Sequence, residues 1–139
     1  CIRDRLGHAR TERAREAVMA FTAADIPTSM FIDPNPKQLE ASAKIGSPWV
    51  ELHTGSFARA WYHESEREKE LMILRKGMDL GVSLGLRVNA GHGINYDNVE
   101  GAKQLQKVYE FNIGHSIVSR SITHGFKEAV ATMRHRLNH

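Results

Sequence analysis

The sequence has 139 residues, enough for one domain with a hydrophobic core, and its 41% hydrophobic and 25% charged residues are ordinary for a globular protein. A net charge of +3 gives little support to nucleic-acid binding, and no apolar run approaches the roughly 20 residues that a membrane span needs. The lone cysteine, Cys1, cannot form an internal disulfide, which predicts a reducing compartment such as the cytoplasm. Because the sequence begins at Cys1 rather than at methionine, we expect it to be part of a longer protein.

Hydrophobic periodicity predicts a helix over residues 10–24, followed by strands that alternate with helices. Strands are predicted at residues 28–32, 49–53 and 109–113, and residues 86–99 are predicted to form a further strand and its loop. Asn35 and Pro36 predict the capped start of a helix that ends at Ile45, and residues 54–56 predict a turn. The remaining helices are predicted at residues 99–105, 116–122, 126–137 and 64–84, the last with a buried face of Leu71, Leu74, Met78 and Val82.

This alternation predicts an α/β domain over residues 1–139, built on a parallel sheet with right-handed crossovers. A doubly wound sheet and a closed eightfold barrel both fit the pattern. No G-x-G-x-x-G motif follows the first predicted strand, which counts against a dinucleotide-binding fold.

Polar side chains recur at the carboxyl ends of the predicted strands, where parallel α/β folds build their active sites. The strand interiors are otherwise apolar, so the pattern predicts one site at one rim of the sheet. The residues concerned are Asp33, Glu51, His53, Asn89, His92, Asn112 and His115.

His92 lies between Gly91 and Gly93, directly after a predicted strand. An imidazole titrates near neutral pH and can serve as a general acid or base. On spacing alone, an incidental histidine in a tight turn explains the motif equally well. A second glycine–histidine pair one strand later, Gly114 and His115, favours the general acid.

Glu51 and His53 are two residues apart and point to the same side of their strand. Glu51 could stabilise positive charge or form a structural ion pair, and a structural hydrogen bond is slightly favoured for His53. Gly114 and His115 precede a helix, which predicts an anion site, although an ordinary helix cap is the alternative. The histidines and Glu51 could instead bind a metal, but no H-x-H or H-E-x-x-H spacing supports this.

Several segments resemble, in order and spacing, the pyridoxine 5′-phosphate synthase family of vitamin B6 biosynthesis. They are residues 29–33, 51–55, 88–99 and 112–117, and the resemblance extends from about Arg13 to the end of the chain. The resemblance implies a (β/α)8 TIM barrel of which this chain supplies roughly strands 5–8, the C-terminal half. It also implies a cytoplasmic homo-oligomer, an octamer in the family, that needs no organic cofactor or metal.

The activity that the resemblance implies is a ring-forming condensation of two small phosphorylated substrates. 1-Deoxy-D-xylulose 5-phosphate and 3-amino-1-hydroxyacetone 1-phosphate would form pyridoxine 5′-phosphate, phosphate and water. By position, His92 matches the family's proton donor and Glu51 a carboxylate that stabilises a transition state. Gly93, Gly114 and His115 match contacts to the amino-ketone phosphate.

Part of the implied site lies outside this sequence, because the family's second catalytic histidine and its general-base glutamate come from earlier strands. We therefore do not expect residues 1–139 to catalyse the full reaction alone. Two alternatives stay open: a metal-dependent barrel hydrolase or lyase using His53, His92 and His115, and a non-catalytic phosphate-binding fragment. The resemblance assigns no role to Trp61-Tyr62-His63.

Overall fold

The structure is a computed structural model that describes residues 8–138, with side chains from residue 11 onward, so the prediction for Cys1 lies outside the described residues. It shows an α/β fold with strands β1 to β4 and helices α1 to α7. In chain order the elements are α1 (His8–Ala23), β1 (Ser29–Ile32), α2 (Pro36–Lys44), β2 (Trp49–His53), α3 (Gly55–Ala60), α4 (Glu64–Ser83), β3 (Arg87–Gly91), α5 (Val99–Ala102), β4 (Phe111–Asn112), α6 (His115–His124) and α7 (Phe126–Asn138).

Within residues 8–138 the sheet has four parallel strands in the order β1-β2-β3-β4, so each of β2 to β4 pairs with the strand before it in the sequence. A doubly wound sheet reverses its strand order at a switch point. The described strands advance in one direction without a reversal, which favours the closed eightfold barrel over the doubly wound alternative.

Helices α2 and α4 cover one face of the sheet, on which Val50, Leu52 and Val88 are buried in the core. Glycines in α4 allow a close approach: a Cβ at Gly81 would lie 2.7 Å from Cγ2 of Val88. The predicted buried face of α4 was wrong at Val82, which is 44% exposed. The helix instead turns its two glycines, Gly77 and Gly81, toward the sheet beside Leu74 and Met78.

Most predicted element boundaries are confirmed to within a few residues. The Asn35 cap is confirmed, because its side chain accepts a hydrogen bond of 2.9 Å from the backbone N–H of Lys37. The predicted turn at residues 54–56 was wrong, because helix α3 begins at Gly55 and packs the fully buried ring of Phe57 into the core. Strand β4 is shorter than the predicted residues 109–113, because it pairs only with Ala90 and Gly91 at the end of β3 and the chain enters α6 at His115.

Among the helices that the structure describes, none is both long and apolar enough to cross a membrane.

Candidate active site

The face of the sheet opposite α2 and α4 carries polar and aromatic side chains. Phe31, Glu51 and Asn89 lie beside one another on β1, β2 and β3, and the neighbouring row joins His53, Gly91 and Asn112. The predicted common side of Glu51 and His53 is therefore confirmed, because Val50 and Leu52, the residues that alternate with them, are buried in the core.

A cavity of about 630 Å³ opens at the carboxyl ends of the strands. Its walls come from Phe31 of β1, Glu51 in the middle of β2, Asn112 of β4, the loop after β3, and the start of α6. The five residues that the family resemblance assigns to the site all line this cavity, namely Glu51, His92, Gly93, Gly114 and His115. Of the other rim residues that the sequence predicts, Asn112 lines the cavity, whereas Asp33, His53 and Asn89 are not among its lining residues.

Glu51 is half-buried, and its Oε2 accepts a hydrogen bond of 2.6 Å from Nδ2 of Asn112. A side chain at position 91 would overlap Oε1 of Glu51, so Gly91 leaves the space that this carboxylate occupies. Its hydrogen-bond partner is a neutral amide, which does not support the structural ion pair considered from the sequence.

His92 is exposed and has a φ of +79°, which is the left-handed region. This conformation costs a residue with a Cβ roughly 1–2 kcal/mol. Its imidazole stacks on that of His53, with ring centroids 4.6 Å apart and an interplanar angle of 31°. A residue held in a costly conformation at the mouth of a cavity is a candidate for a functional role.

Residues at the start of α3 support this histidine. The hydroxyl of Thr54 lies 2.7 Å from the carbonyl oxygen of Gly91 and 2.6 Å from that of His92. A Cβ at Gly55 would lie 2.9 Å from Nε2 of His53 and 3.1 Å from Cδ2 of His92, so both imidazoles pass directly over this glycine. The start of helix α3 therefore packs directly beneath the imidazoles of His53 and His92.

Sequence reasoning missed the contribution of Thr54 and α3. The available signal was a threonine before a helix-compatible segment, with Phe57 and Trp61 at i and i+4. In the structure Trp61 packs edge-on against Phe57 at 5.7 Å and lies under the guanidinium of Arg67 at 5.1 Å. Trp61 is thus a packing residue, whereas Tyr62 and His63 are exposed.

Asn98 organises the loop that follows His92. Its buried side chain donates a hydrogen bond of 3.0 Å to the carbonyl oxygen of Gly93 and accepts one of 2.8 Å from the N–H of Asn95. Ser116 connects this loop to α6, because its hydroxyl donates a hydrogen bond of 2.9 Å to the carbonyl oxygen of Ile94. These bonds fix Gly93 relative to the start of α6.

His53 contacts Asp33 as well as His92. Its Nδ1 lies 3.7 Å from Oδ1 of Asp33, and the ring of Phe31 packs edge-on against it at 5.4 Å. These contacts agree with the structural role that the sequence slightly favours, and that role stays a prediction.

Helix α6 begins at the cavity wall with His115, and its N-cap residue, Gly114, has no side chain that could cap the first N–H groups. Uncapped N–H groups and the helix dipole attract anions. Gly114 has a φ of −119°, which any residue can adopt, and a Cβ there would meet no atom within 4 Å. Its conformation therefore does not require glycine.

Within residues 11–138, no group of three or more histidine, cysteine, aspartate or glutamate side chains is placed to hold a metal ion. The metal alternative, which relied on His53, His92 and His115, therefore finds no ligand set in this part of the chain.

The family described as Pyridoxal phosphate biosynthesis protein PdxJ matches residues 7–139. The pyridoxine 5′-phosphate synthase of Opitutus terrae is 46% identical over 130 residues, which cover 94% of this chain and 52% of the relative. Those of Prochlorococcus marinus and Solidesulfovibrio magneticus are 48% and 50% identical, covering 86% and 92% of this chain and 48% and 53% of the relatives. The chain thus spans about half the length of the curated relatives it matches.

Proposed function

Because the chain belongs to the family described as Pyridoxal phosphate biosynthesis protein PdxJ, we propose that it is the C-terminal half of a pyridoxine 5′-phosphate synthase. In this proposal β1 to β4 are strands 5–8 of a TIM barrel, and the face that carries Glu51 and Asn89 is its interior. The sequential parallel strand order and the coverage of one face by α2 and α4 support this arrangement. The octameric assembly and the cytoplasmic location stay predictions.

The observation that carries the proposal is that every residue matched to the family's site lines one cavity. The reaction joins 1-deoxy-D-xylulose 5-phosphate to 3-amino-1-hydroxyacetone 1-phosphate. It moves protons at each addition and elimination, and it handles two phosphate groups. A site for this chemistry needs a proton donor, a carboxylate and an anion cradle, and this cavity has residues suited to each role.

In our proposal His92 donates a proton to a leaving oxygen of the condensing substrates. Its exposed ring and its position beside His53 give it access to the cavity while its backbone is held by Thr54. The carboxylate of Glu51, oriented by Asn112, stabilises positive charge that develops on the substrate nitrogen.

The amino-ketone phosphate binds, in this proposal, between Gly93, Gly114 and His115. The uncapped N–H groups of the first turn of α6 donate to the phosphate oxygens, and the helix dipole adds a favourable field. Gly93 has a φ of +82° and a Cβ there would lie 2.8 Å from Cβ of Ala58, so this position requires glycine. Its lack of a side chain also leaves its N–H open to a ligand.

The proposal is tested with a chimera in which this chain replaces the matching 130 residues of the Opitutus terrae relative. We expect the folded chimera to form pyridoxine 5′-phosphate from the two phosphorylated substrates. The unmodified relative is the positive control, and thermal unfolding confirms that the chimera is folded. A folded chimera without product would contradict the proposal and favour a non-catalytic phosphate-binding role.

A further inference from the structure

The conformation of His92 requires a restraint. Its φ of +79° is unfavourable for any residue with a side chain, and the neighbouring Gly93 at +82° offers little resistance to relaxation. Without an external contact, the loop would relax and the imidazole would leave its place over Gly55. The exposed ring contacts the imidazole of His53 and lies over Gly55, but only contacts to the backbone of residues 91–93 act on this φ angle directly.

Thr54 supplies such a contact from the end of β2. Its backbone N–H donates a hydrogen bond of 2.8 Å to the carbonyl oxygen of Gly91, and its hydroxyl reaches the carbonyl oxygens of Gly91 and His92. The hydroxyl has one proton, which it shares between the two acceptors. Thr54 is fully buried, so water does not compete for these bonds.

This use of the hydroxyl differs from the usual role of a threonine at this position. Thr54 is the N-cap residue of α3, where a threonine oxygen ordinarily accepts a hydrogen bond from an N–H of the first turn. Here the side chain makes no capping bond. Its hydrogen bonds are made across the sheet to the turn that carries His92 instead.

We propose that Thr54 is a positioning residue for His92: its hydroxyl holds the carbonyl groups of Gly91 and His92 and so keeps His92 in the left-handed conformation that places the imidazole at the cavity. The catalytic consequence rests on the proposed function, whereas the conformational consequence does not. Thr54 acts through the histidine and contacts no reacting atom itself.

The test compares Thr54→Val, which keeps the shape and removes the hydroxyl, with Thr54→Ser, which keeps the hydroxyl. In the chimera we expect Thr54→Val to lower kcat about ten- to a hundredfold with KM within about twofold, because a misplaced catalytic group costs rate rather than substrate affinity. Thr54→Ser should have a kcat within about threefold of that of the unsubstituted chimera, because it keeps the hydroxyl. Equal kcat values for the valine and serine variants would overturn the proposal.

Thr28→Val is the matched control, because it makes the same chemical change at a buried hydroxyl that lies before β1 and has no hydrogen-bond partner among the described residues. We expect it to leave kcat unchanged. A loss equal to that of Thr54→Val would mean that the effect is one of general stability, and would overturn the specific role.

A second readout does not depend on activity. The backbone φ of residue 92, measured by crystallography or NMR couplings, should leave the left-handed region in Thr54→Val and stay there in Thr54→Ser. An unchanged φ in the valine variant would overturn the proposal even if the chimera were inactive. If Thr54→Val does not fold, NMR of the Thr54 hydroxyl proton in the unsubstituted protein takes its place. A hydroxyl proton that exchanges rapidly with water and shows no NOE to His92 would overturn the proposal.

Discussion

Asn112 donates a hydrogen bond of 2.6 Å to Glu51 and so joins the end of β4 to the middle of β2 across β3. The bond passes over Gly91, where any side chain would overlap the carboxylate. The carboxylate of Glu51, which lines the cavity, is thus oriented by a residue that lies 61 positions later in the sequence.

We expect Asn112→Ala to destabilise the protein by about 1 kcal/mol, the usual net value of a hydrogen bond, and to lower kcat of the chimera. Urea unfolding measures the first effect and steady-state kinetics the second. Glu51→Gln is the comparison, because it keeps an acceptor oxygen for Asn112 but removes the charge. It should lower kcat and leave the free energy of unfolding nearly unchanged. A stable, fully active Glu51→Gln variant would contradict the role of the carboxylate.

Two substitutions of His92 should differ in stability but not in their loss of activity. We expect His92→Gly to be more stable than His92→Ala by about 1 kcal/mol, because both remove the imidazole and only glycine is free of strain at a φ of +79°. Both should lower kcat of the chimera by about 10² to 10⁴, the usual contribution of a general acid.

The control for this comparison is His124, an exposed residue within helix α6 whose φ is not positive. There the glycine variant should be less stable than the alanine variant, because alanine is favoured over glycine in a helix. If His92→Gly were likewise no more stable than His92→Ala, the backbone strain at His92 would be disproved.

Asn98→Ala should loosen the loop between β3 and α5. The substitution leaves the carbonyl oxygen of Gly93 and the N–H of Asn95 without their partner, and we expect a loss of about 1–3 kcal/mol in the free energy of unfolding. KM for the amino-ketone phosphate should rise more than kcat falls, because Gly93 belongs to the proposed phosphate site. Unchanged hydrogen exchange at residues 93–98 would count against this prediction, and the exposed Asn138→Ala serves as control.

Gly81→Ala tests whether helix propensity or steric overlap with the core has the larger effect on stability in α4. Alanine is favoured over glycine within a helix by about 1 kcal/mol. The new Cβ, however, would lie 2.7 Å from Cγ2 of Val88 and 3.3 Å from Cδ2 of Leu39, both in the core. We expect the steric effect to be larger and the melting temperature to fall. The control is Ser83→Ala, at an exposed position of the same helix, which should leave the melting temperature unchanged or raise it. A higher melting temperature in Gly81→Ala would disprove the close packing.

The sequence by itself determined the order of most elements and the residues at the rim of the sheet. Hydrophobic alternation in β2 assigned Val50 and Leu52 to one side and Glu51 and His53 to the other. Asn35 with Pro36 and Gly125 marked helix boundaries that the structure confirms. Such signals suffice because periodicity, capping and chain breaks act over a few neighbouring residues.

The tertiary structure decided the features that depend on residues far apart in the chain. The burial of Phe57 makes a helix of a segment whose local composition predicts a turn, and close packing on Val88 turns Gly81 rather than Val82 toward the sheet. The conformation of His92 is held by Thr54, which lies 38 positions earlier. Spacing can place a histidine at the end of a strand, but only contacts between β2, β3 and α3 determine where its imidazole lies, because those contacts form when the strands pair.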